Sequence, residues 1–479
     1  MAESLKNKTV KGVFWSSVDR FSGQAIHFVV LLVLARLLSP KDYGLIGMLV
    51  VFIAIAQSLI DSGFSEALIR KKDRTEIDNS SVFYFNVVMS SFLYIILFIF
   101  APYVAEFYNE PQLTNLMRVL CFVVIINSFG MVQRALYTAV VNFKTQAKAT
   151  FSSATIAGIC GICFALLGYG VWSLVFQQII GAILMVFFLW FFSSWRPQLC
   201  FSMKSIRELF AFGSKMMISS LINTISGNIY QLVVGKIFSA VKLGHYSQAA
   251  HITQMPSANI SRIMDRVTYP ILCNLQDDDE RLAFNYRKLL RMSVFVIFPM
   301  MCLLAALSVP LVEIVIGEKW HYAALLIVPL CFSWMWHPVH SINLNLLKVK
   351  GRSDLFLRLE IIKDTLGLIV LAVGIPFGLM VMCYLQILTS MIALTINTYY
   401  TGKLIRVGFF MQMRDLLPVL SMSLLMFLVV FLTTKIIVNQ YIELILGVVI
   451  GFVLYFGGAR LLHFKEVSYL QELINKDKK

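Results

Sequence analysis

The sequence predicts an all-α, polytopic membrane protein with about fourteen transmembrane helices, built as two six-helix lobes related by a pseudo-two-fold axis plus two C-terminal helices. Three observations predict this fold class. The 479 residues are 58% hydrophobic and only 14% charged, with a mean hydropathy of +0.78, whereas soluble domains carry roughly 25% charged residues. Basic residues are concentrated in alternate loops, and a short motif recurs in the second half of the chain.

The expected spans are apolar segments of about 20 residues, the length needed to cross roughly 30 Å of hydrocarbon. The polar intervals between them are too short to hold a separate soluble domain. In chain order the spans lie near residues 13–36, 43–66, 82–104, 115–137, 149–169, 171–192, 209–234, 243–268, 292–316, 322–345, 360–377, 379–400, 416–436 and 441–462.

The positions of the basic residues predict the topology. Most of the 41 Lys and Arg residues lie on one side of the predicted membrane, in both termini and in every second connection. Positive charge marks the cytoplasmic side, so we expect both termini in the cytoplasm. The N-terminal segment lacks the apolar core and cleavage site of a signal peptide, and the first span is therefore expected to be retained.

A short internal repeat predicts the arrangement of the spans. The end of span one reads LLVLARLLSPKDYGLIG and the end of span seven reads QLVVGKIFSAVKLGHYS, with Ser39 matching Ser239 and Gly44 matching Gly244. Six spans separate the copies, so both halves have the same orientation, as in transporters with parallel repeats. We expect an N-lobe over 1–200, a C-lobe over 201–402, and two added spans with a cytoplasmic tail over 403–479.

Polar residues within the spans indicate the functional site. Span eight, near residues 245–270, is long enough to cross the membrane but is polar on one side when its residues are placed on a helix. This pattern fits either an amphipathic helix on the membrane surface or a span that lines an aqueous cavity. Spans one, two and seven carry matching polar faces, which favours a cavity at the pseudo-two-fold axis.

Cationic side chains outnumber acidic ones on these faces, which favours an anionic ligand. The acidic residues are candidates for ion coupling or for local ion pairs: Asp19, Asp61 and Asp265. The predicted substrate-binding residues are polar or basic: Arg20, Gln24, His27, Lys215, Asn223, His251, Asn259, Arg262 and Arg266.

Other chemistries are not indicated. The net charge of +15 segregates by loop rather than forming a nucleic-acid surface, and the eight cysteines lie mostly in apolar runs, which predicts no disulfide framework. His337 and His340 have the spacing of a metal pair, but Pro338 interrupts the helix and no acidic ligand follows. We therefore expect a kinked, polar-lined helix there, no metal, no catalytic residues and no cofactor.

Several stretches between residues 35 and 405 resemble those of a known family: ARLLSPKDYGLIGMLVVF, DSGFSEALIRKKD, VVGKIFSAVKLGHYSQA, RVTYPILCNLQDDDERL, GRSDLFLRLEIIKDTLG and INTYYTGKLI. The chain resembles the polysaccharide transporters of the multidrug/oligosaccharidyl-lipid/polysaccharide exporter superfamily, the Wzx-like lipid-linked oligosaccharide flippases of bacteria. The resemblance implies a two-lobe transporter in the bacterial cytoplasmic (inner) membrane that moves an undecaprenyl-diphosphate-linked glycan outward by alternating access.

The same resemblance implies a role in lipopolysaccharide, capsule or exopolysaccharide assembly. The expected partners are the polyprenyl-diphosphate-linked glycan, membrane lipids, and glycan polymerase and export machinery, with no nucleic acid. Coupling to a proton or sodium gradient is expected for such a transporter, and passive scrambling stays open. The alternatives are a multidrug or toxin exporter of the same superfamily and a membrane glycan polymerase or ligase.

Overall fold

A computed structural model describes residues 23–467, except for 62, 72, 438 and 465. Within that part of the chain, every regular element is a helix, as the composition predicts. The chain divides into two compact units, residues 1–244 and 245–479, and the division falls inside one long helix.

The N-terminal unit is formed by helices that run through the first half of the chain. They are α1 (Gly23–Leu37), α2 (Pro40–Asp61), α3 (Phe64–Arg70), α4 (Glu76–Tyr108), α5 (Leu113–Leu120), α6 (Phe122–Ala139), α7 (Phe143–Leu166), α8 (Val171–Phe192), α9 (Met203–Ile237) and the first residues of α10 (Ala240–Cys273).

The C-terminal unit contains the rest of α10 and the helices that follow it. They are α11 (Asp279–Ala306), α12 (Ser308–Ile316), α13 (His321–Trp334), α14 (His337–Val349), α15 (Ser353–Gly374), α16 (Leu379–Ile405), α17 (Phe409–Thr434) and α18 (Gln440–Leu461), with single 3-10 turns at Glu318–Trp320 and Ile375–Phe377.

Each of the fourteen predicted spans coincides with one helix or with two consecutive helices, in the predicted order. Ten segments of the described chain are long and apolar enough to cross a membrane. The other predicted spans coincide with α1, which is described only from Gly23, and with α9, α10 and α15, whose apolar runs are interrupted by polar residues. For these four helices, membrane crossing stays a prediction.

The repeated sequence motif corresponds to two equivalent helical hairpins. α1 ends at Leu37 and α2 begins at Pro40, while α9 ends at Ile237 and α10 begins at Ala240. In both hairpins the connecting serine accepts a hydrogen bond through Oγ from the backbone N–H three residues later, at 3.3 Å for Ser39 and 3.2 Å for Ser239. The structure therefore confirms the repeat at the level of local geometry.

The two hairpins meet through glycines in a contact that is itself two-fold. A Cβ added to Gly44 would lie 1.7 Å from the carbonyl oxygen of Ala240, and a Cβ added to Gly244 would lie 1.8 Å from that of Pro40. Backbones approach this closely only where side chains are absent. Both contacts lie within the N-terminal unit, so the glycines of the motif hold α2 against α10.

The rest of α9 also packs in the N-terminal unit. Ser58 on α2 shares a hydrogen bond of 2.9 Å with Thr224, and Lys71 forms ion pairs of 3.1 Å with Asp78 and 3.4 Å with Glu208 on α9. Burial opposes the charge of Lys71, but the two carboxylates hold its pKa above the usual range. The lobe boundary at residue 200, which depends on the repeat, stays a prediction.

The last two helices pack on the C-terminal unit. Arg287 of α11 donates from Nε and Nη2 to the two carboxylate oxygens of Asp415 on α17, each at 2.6 Å. Tyr455 of α18 donates its hydroxyl hydrogen to the carbonyl oxygen of Phe295 at 2.8 Å. Such paired side chains are favoured between helices that offer no water as an alternative partner.

Candidate functional site in the polar helices

The polar stretch of span eight forms most of α10. Within it, Ser257, Ser261 and Asp265 recur at every fourth residue, so they lie on one face of the helix. Ser257 is 0% exposed and Ser261 is 2% exposed, while Asp265 is half-buried. This face packs against the break between α13 and α14, which favours a helix embedded among others over one lying on the membrane surface.

A proline explains why α13 and α14 are separate helices. Pro338 has no N–H to donate to the carbonyl oxygen of Trp334, four residues earlier. The hydroxyl of Ser257 donates to that oxygen instead, at 2.7 Å. The kink expected from Pro338 is therefore present, and a side chain of α10 satisfies the carbonyl group that the proline leaves without its helical partner.

Asp265 is held by two side chains of α14. Its Oδ1 accepts hydrogen bonds from Ser341 Oγ at 2.6 Å and from Asn345 Nδ2 at 2.7 Å. Ser341 and Asn345 are four residues apart and share one face of α14. An ionised carboxylate within an apolar unit requires such donors, because burying it without them is costly.

The two histidines of α14 are engaged in hydrogen bonds. Ser261 Oγ lies 2.8 Å from His337 Nδ1, and the Trp334 ring stacks on the His337 ring with their centroids 5.1 Å apart. His340 Nε2 lies 3.1 Å from Ser390 Oγ on α16. Among the described residues, no group of three or more His, Cys, Asp or Glu side chains is placed to hold a metal ion.

The predicted basic residues of α10 lie beside this face. Arg262 is half-buried and donates to the carbonyl oxygen of Ala258 at 3.0 Å and to Asn259 Oδ1 at 2.6 Å. Arg266 and His251 are exposed. The Arg262 guanidinium is thus oriented by its own helix, and Arg266 is the more accessible of the two arginines.

The N-terminal unit contains four other predicted site residues. Gln24 on α1 is half-buried, whereas His27 on α1 and Lys215 and Asn223 on α9 are exposed. Two further predicted residues, Asp19 and Arg20, lie outside the described residues. Lys215 therefore offers an accessible cation on a helix of this unit.

Asp61 borders a polar cavity between α2, α6 and α8. The cavity has a volume of about 280 Å³, and its polar lining includes Gln57, Asp61, Ser65, Asn127 and Arg134. Asp61 Oδ1 accepts hydrogen bonds from Ser65 Oγ at 2.6 Å and from the Ser65 backbone N–H at 3.3 Å. A carboxylate, two amides and a guanidinium suit a small polar ligand or ordered water better than an apolar ligand.

The structure places the predicted residues in both units. Lys215 and the residues on α1 and α2 lie in the N-terminal unit, and the residues from His251 to Arg266 lie in the C-terminal unit. Their meeting around one central cavity stays a prediction.

The sequence analysis did not include the side chains of α14 that hold Asp265, nor an ion pair on α15. Ser341 and Asn345 hold its carboxylate, and Glu360 forms an ion pair with Lys363 on α15. The spacing of Ser341 and Asn345 in the segment HSINLNLL was a signal for one polar helical face. Their partner on α10 is 76 or more residues away and could not be deduced from spacing.

Comparisons with known proteins agree with the predicted transporter family. Residues 33–325 match the polysaccharide biosynthesis protein family. The chain is 27% identical to the lipopolysaccharide biosynthesis protein WzxC of Escherichia coli (strain K12), over 78% of this chain and 76% of that protein. It is 25% identical to the teichuronic acid biosynthesis protein TuaB of Bacillus subtilis (strain 168), over 74% of this chain and 73% of that protein.

The fold has counterparts among solved structures. The lipid II flippase MurJ, in an inward closed conformation, superposes with a TM-score of 0.77 at 17% identity and covers 96% of this chain and 100% of its own. An inward-facing multidrug resistance transporter of the MATE family has a TM-score of 0.58 at 13% identity, with 82% and 100% covered. At these identities the likeness concerns the fold.

Proposed function

Since the chain belongs to the polysaccharide biosynthesis protein family, we propose that it translocates a lipid-linked oligosaccharide, carried on undecaprenyl diphosphate, across the bacterial cytoplasmic membrane. The glycan would then serve lipopolysaccharide, capsule or exopolysaccharide assembly. The chain is a multi-pass membrane protein, and the distribution of basic residues supports a cytoplasmic position for both termini. It acts as a transporter, and the chemistry of polymerisation belongs to other proteins.

One observation carries this proposal: Lys215 and Arg266 are exposed cations within the predicted spans seven and eight. A charge facing hydrocarbon costs at least about 2.5 kcal/mol on insertion scales. That cost is offset when the cation faces water or an anion. A diphosphate carries the complementary charge, while its polyprenyl chain can stay in the surrounding lipid.

The named functions of the relatives support the class of substrate. WzxC is named for lipopolysaccharide, TuaB for teichuronic acid and ExoT of Rhizobium meliloti (strain 1021) for succinoglycan transport. These glycans differ, so the feature that one family can share is the carrier rather than the sugar sequence. We assign Lys215, Arg262 and Arg266 to the anionic head group, and leave recognition of the sugars to the polar residues Gln24, Asn223 and Asn259.

Alternating access requires a contact that closes one side of the membrane and can open. The glycine contact between the two hairpins has the required position, because by the predicted topology both hairpins lie on the extracytoplasmic side. Its two-fold form follows from the repeat, since each hairpin offers a glycine to the backbone of the other. We assign it the role of the extracytoplasmic gate.

Gene deletion with analysis of the lipid-linked intermediates tests the proposal. We expect loss of surface polysaccharide and accumulation of the intermediate on the cytoplasmic leaflet. Complementation by Arg262→Ala/Arg266→Ala should restore less than one tenth of the surface glycan, since each lost charge-assisted contact costs about 1.5 kcal/mol or more. Arg281→Ala, which removes an arginine that is exposed at the start of α11, is the matched control and should complement fully.

The alternatives predict different results in the same strains. Changed drug efflux with normal surface glycan would assign the chain to multidrug export, the activity named for the MATE neighbour. Sugar transfer or polymerisation by the purified chain alone would assign it to the membrane enzymes.

A further inference from the structure

A group of ionisable side chains belongs to α10, α14 and α15 in the C-terminal unit. We call it the α14 cluster: Arg262, Asp265, His337, Glu360 and Lys363. The four charged residues all lie close enough to His337 to act on it electrostatically. When the His337 ring is neutral, the charges of Arg262 and Lys363 balance those of Asp265 and Glu360. One proton added to the ring therefore gives the cluster a net positive charge.

The hydrogen bonds determine which nitrogen of His337 takes up a proton. Ser261 Oγ donates its single hydrogen to the carbonyl oxygen of Ser257 at 2.9 Å. It must therefore accept its second bond, of 2.8 Å, from His337 Nδ1–H. With the hydrogen on Nδ1, Nε2 carries the lone pair and is the basic atom of the ring. His337 is half-buried.

The ligands around Asp265 distinguish a proton from a metal cation. Its Oδ1 is occupied by two hydrogen-bond donors, Ser341 Oγ–H and the amide N–H of Asn345. A hard cation such as sodium would require oxygen ligands, as calcium and magnesium do, whereas these groups direct hydrogens towards the carboxylate. An imidazole that interacts electrostatically with a carboxylate, as His337 does with Asp265, is instead suited to hold a proton.

In the described part of the chain, the contacts that α14 makes with α11 and α16 near this position involve uncharged partners. His340 is bonded to Ser390 and lies 3.3 Å from Asn397 Nδ2 on α16, and both of those partners are uncharged. On the α11 side, Phe298 packs edge-on against Trp336. The charge balance around His337 is therefore set by α10 and α15.

We propose that His337 is a proton-binding site and that it takes up a proton at Nε2 when an anion binds near Arg262. The new N–H bond forms with a proton from solvent, and the added charge is balanced by the incoming anion. This role in coupling rests on the proposed function, in which the anion is the diphosphate of the lipid carrier. Proton binding itself does not depend on the identity of the transported molecule.

The stacking of Trp334 on His337 gives a direct test in the purified protein in nanodiscs. A protonated imidazole in contact with an indole quenches its fluorescence, so the wild-type emission should fall as the pH decreases and His337 takes up its proton. His337→Asn keeps an amide donor for Ser261 but removes the titratable nitrogen, so the pH-dependent fall in emission should disappear. His463→Asn makes the same change at a histidine outside the cluster, and this control variant should retain the pH-dependent fall in emission.

Nitrogen NMR of labelled histidine in the wild-type protein reports the same event without a variant. Among the signals of the seven histidines, one should titrate with the midpoint of the fluorescence change and be missing in His337→Asn. Asp265→Asn should lower the midpoint by about one pH unit, a tenfold loss of proton affinity. A His337 signal that does not titrate between pH 4 and 9 would overturn the proposal, as would a midpoint unaffected by Asp265→Asn.

Coupling is tested by adding undecaprenyl diphosphate to the nanodiscs. The midpoint should rise by about one unit, a tenfold gain in proton affinity, and the rise should be absent in Arg262→Ala. An unchanged midpoint in wild-type protein that binds the lipid would refute the coupling. Failure of the proposed function would appear separately, as absence of lipid binding and of glycan transport while the His337 titration persists.

Discussion

Replacing Gly44 or Gly244 by alanine should open the hairpin contact. The new methyl carbon would lie 1.7 Å or 1.8 Å from a backbone carbonyl oxygen of the opposite hairpin. Carbon atoms pack at about 3.5 to 4 Å, so the helices must separate by roughly 1.5 Å or more. Overpacking of this kind costs about 1 to 3 kcal/mol, and a backbone oxygen cannot move aside as a flexible side chain can.

That cost falls on the closed arrangement and not on one in which the hairpins are apart. A change of 1 to 3 kcal/mol shifts a two-state ratio by about 5- to 150-fold. We therefore expect each substitution to increase the population of the open gate by at least about fivefold, and the double variant to exceed either single one. Transport that depends on alternation between the two arrangements should slow correspondingly.

The assay is labelling of a cysteine at position 243 by a membrane-impermeant maleimide added from outside. Leu243 is 0% exposed beside the contact, so Leu243→Cys should react slowly when Gly44 and Gly244 are intact and at least about fivefold faster with either alanine. Gly227→Ala on α9 is the matched control, since a Cβ there meets no atom within 4 Å. Equal labelling rates in all four proteins would refute the assignment of a glycine-sealed gate.

Two further predictions concern the C-terminal unit. Ser257→Ala should lower the free energy of unfolding by about 1 to 3 kcal/mol, because it removes the hydrogen-bond donor of the Trp334 carbonyl oxygen. With Pro338→Ala also present the loss should shrink, since the new N–H can donate to that oxygen. Thermal unfolding in detergent measures the effects of the single and the combined substitutions. Strictly additive effects would contradict the assignment of the Ser257 hydroxyl as the donor that replaces the missing N–H of Pro338. Asp415→Ala should lower the free energy of unfolding by about 3 kcal/mol. This loss is near the lower end for buried ion pairs, because the Arg287 side chain is 36% exposed. An unchanged melting temperature would contradict a stabilising role for the pair.

The fold was largely predictable because membrane helices obey two simple constraints. Apolar length and the segregation of Lys and Arg located the helices in order. The structure confirms an all-α fold, and its described part has ten helical segments long and apolar enough to cross a membrane. The motif that pairs Ser39 with Ser239 and Gly44 with Gly244 also corresponds to equivalent geometry. Helix breaks were predictable only where proline removes a donor, as at Pro338.

The site was predictable in location but not in its contacts. Periodicity identified the polar face of α10, because residues four apart share a helical face. It could not identify the partners of Asp265 and Ser261, since these lie on α14, 76 or more residues away. The sequence had made Asp265 a candidate for ion coupling or for a local ion pair, whereas its carboxylate is bonded to Ser341 and Asn345. Side-chain pairing between helices depends on packing, which local spacing does not encode.

Reconstitution of the purified chain into liposomes that contain a fluorescent undecaprenyl-diphosphate-linked oligosaccharide tests the central claim most directly. Quenching by a membrane-impermeant reductant reports which leaflet holds the label. We expect the protein to move the lipid between leaflets, and Arg262→Ala/Arg266→Ala to reduce the rate at least tenfold while Arg281→Ala does not. Movement no faster than in protein-free liposomes would contradict the account.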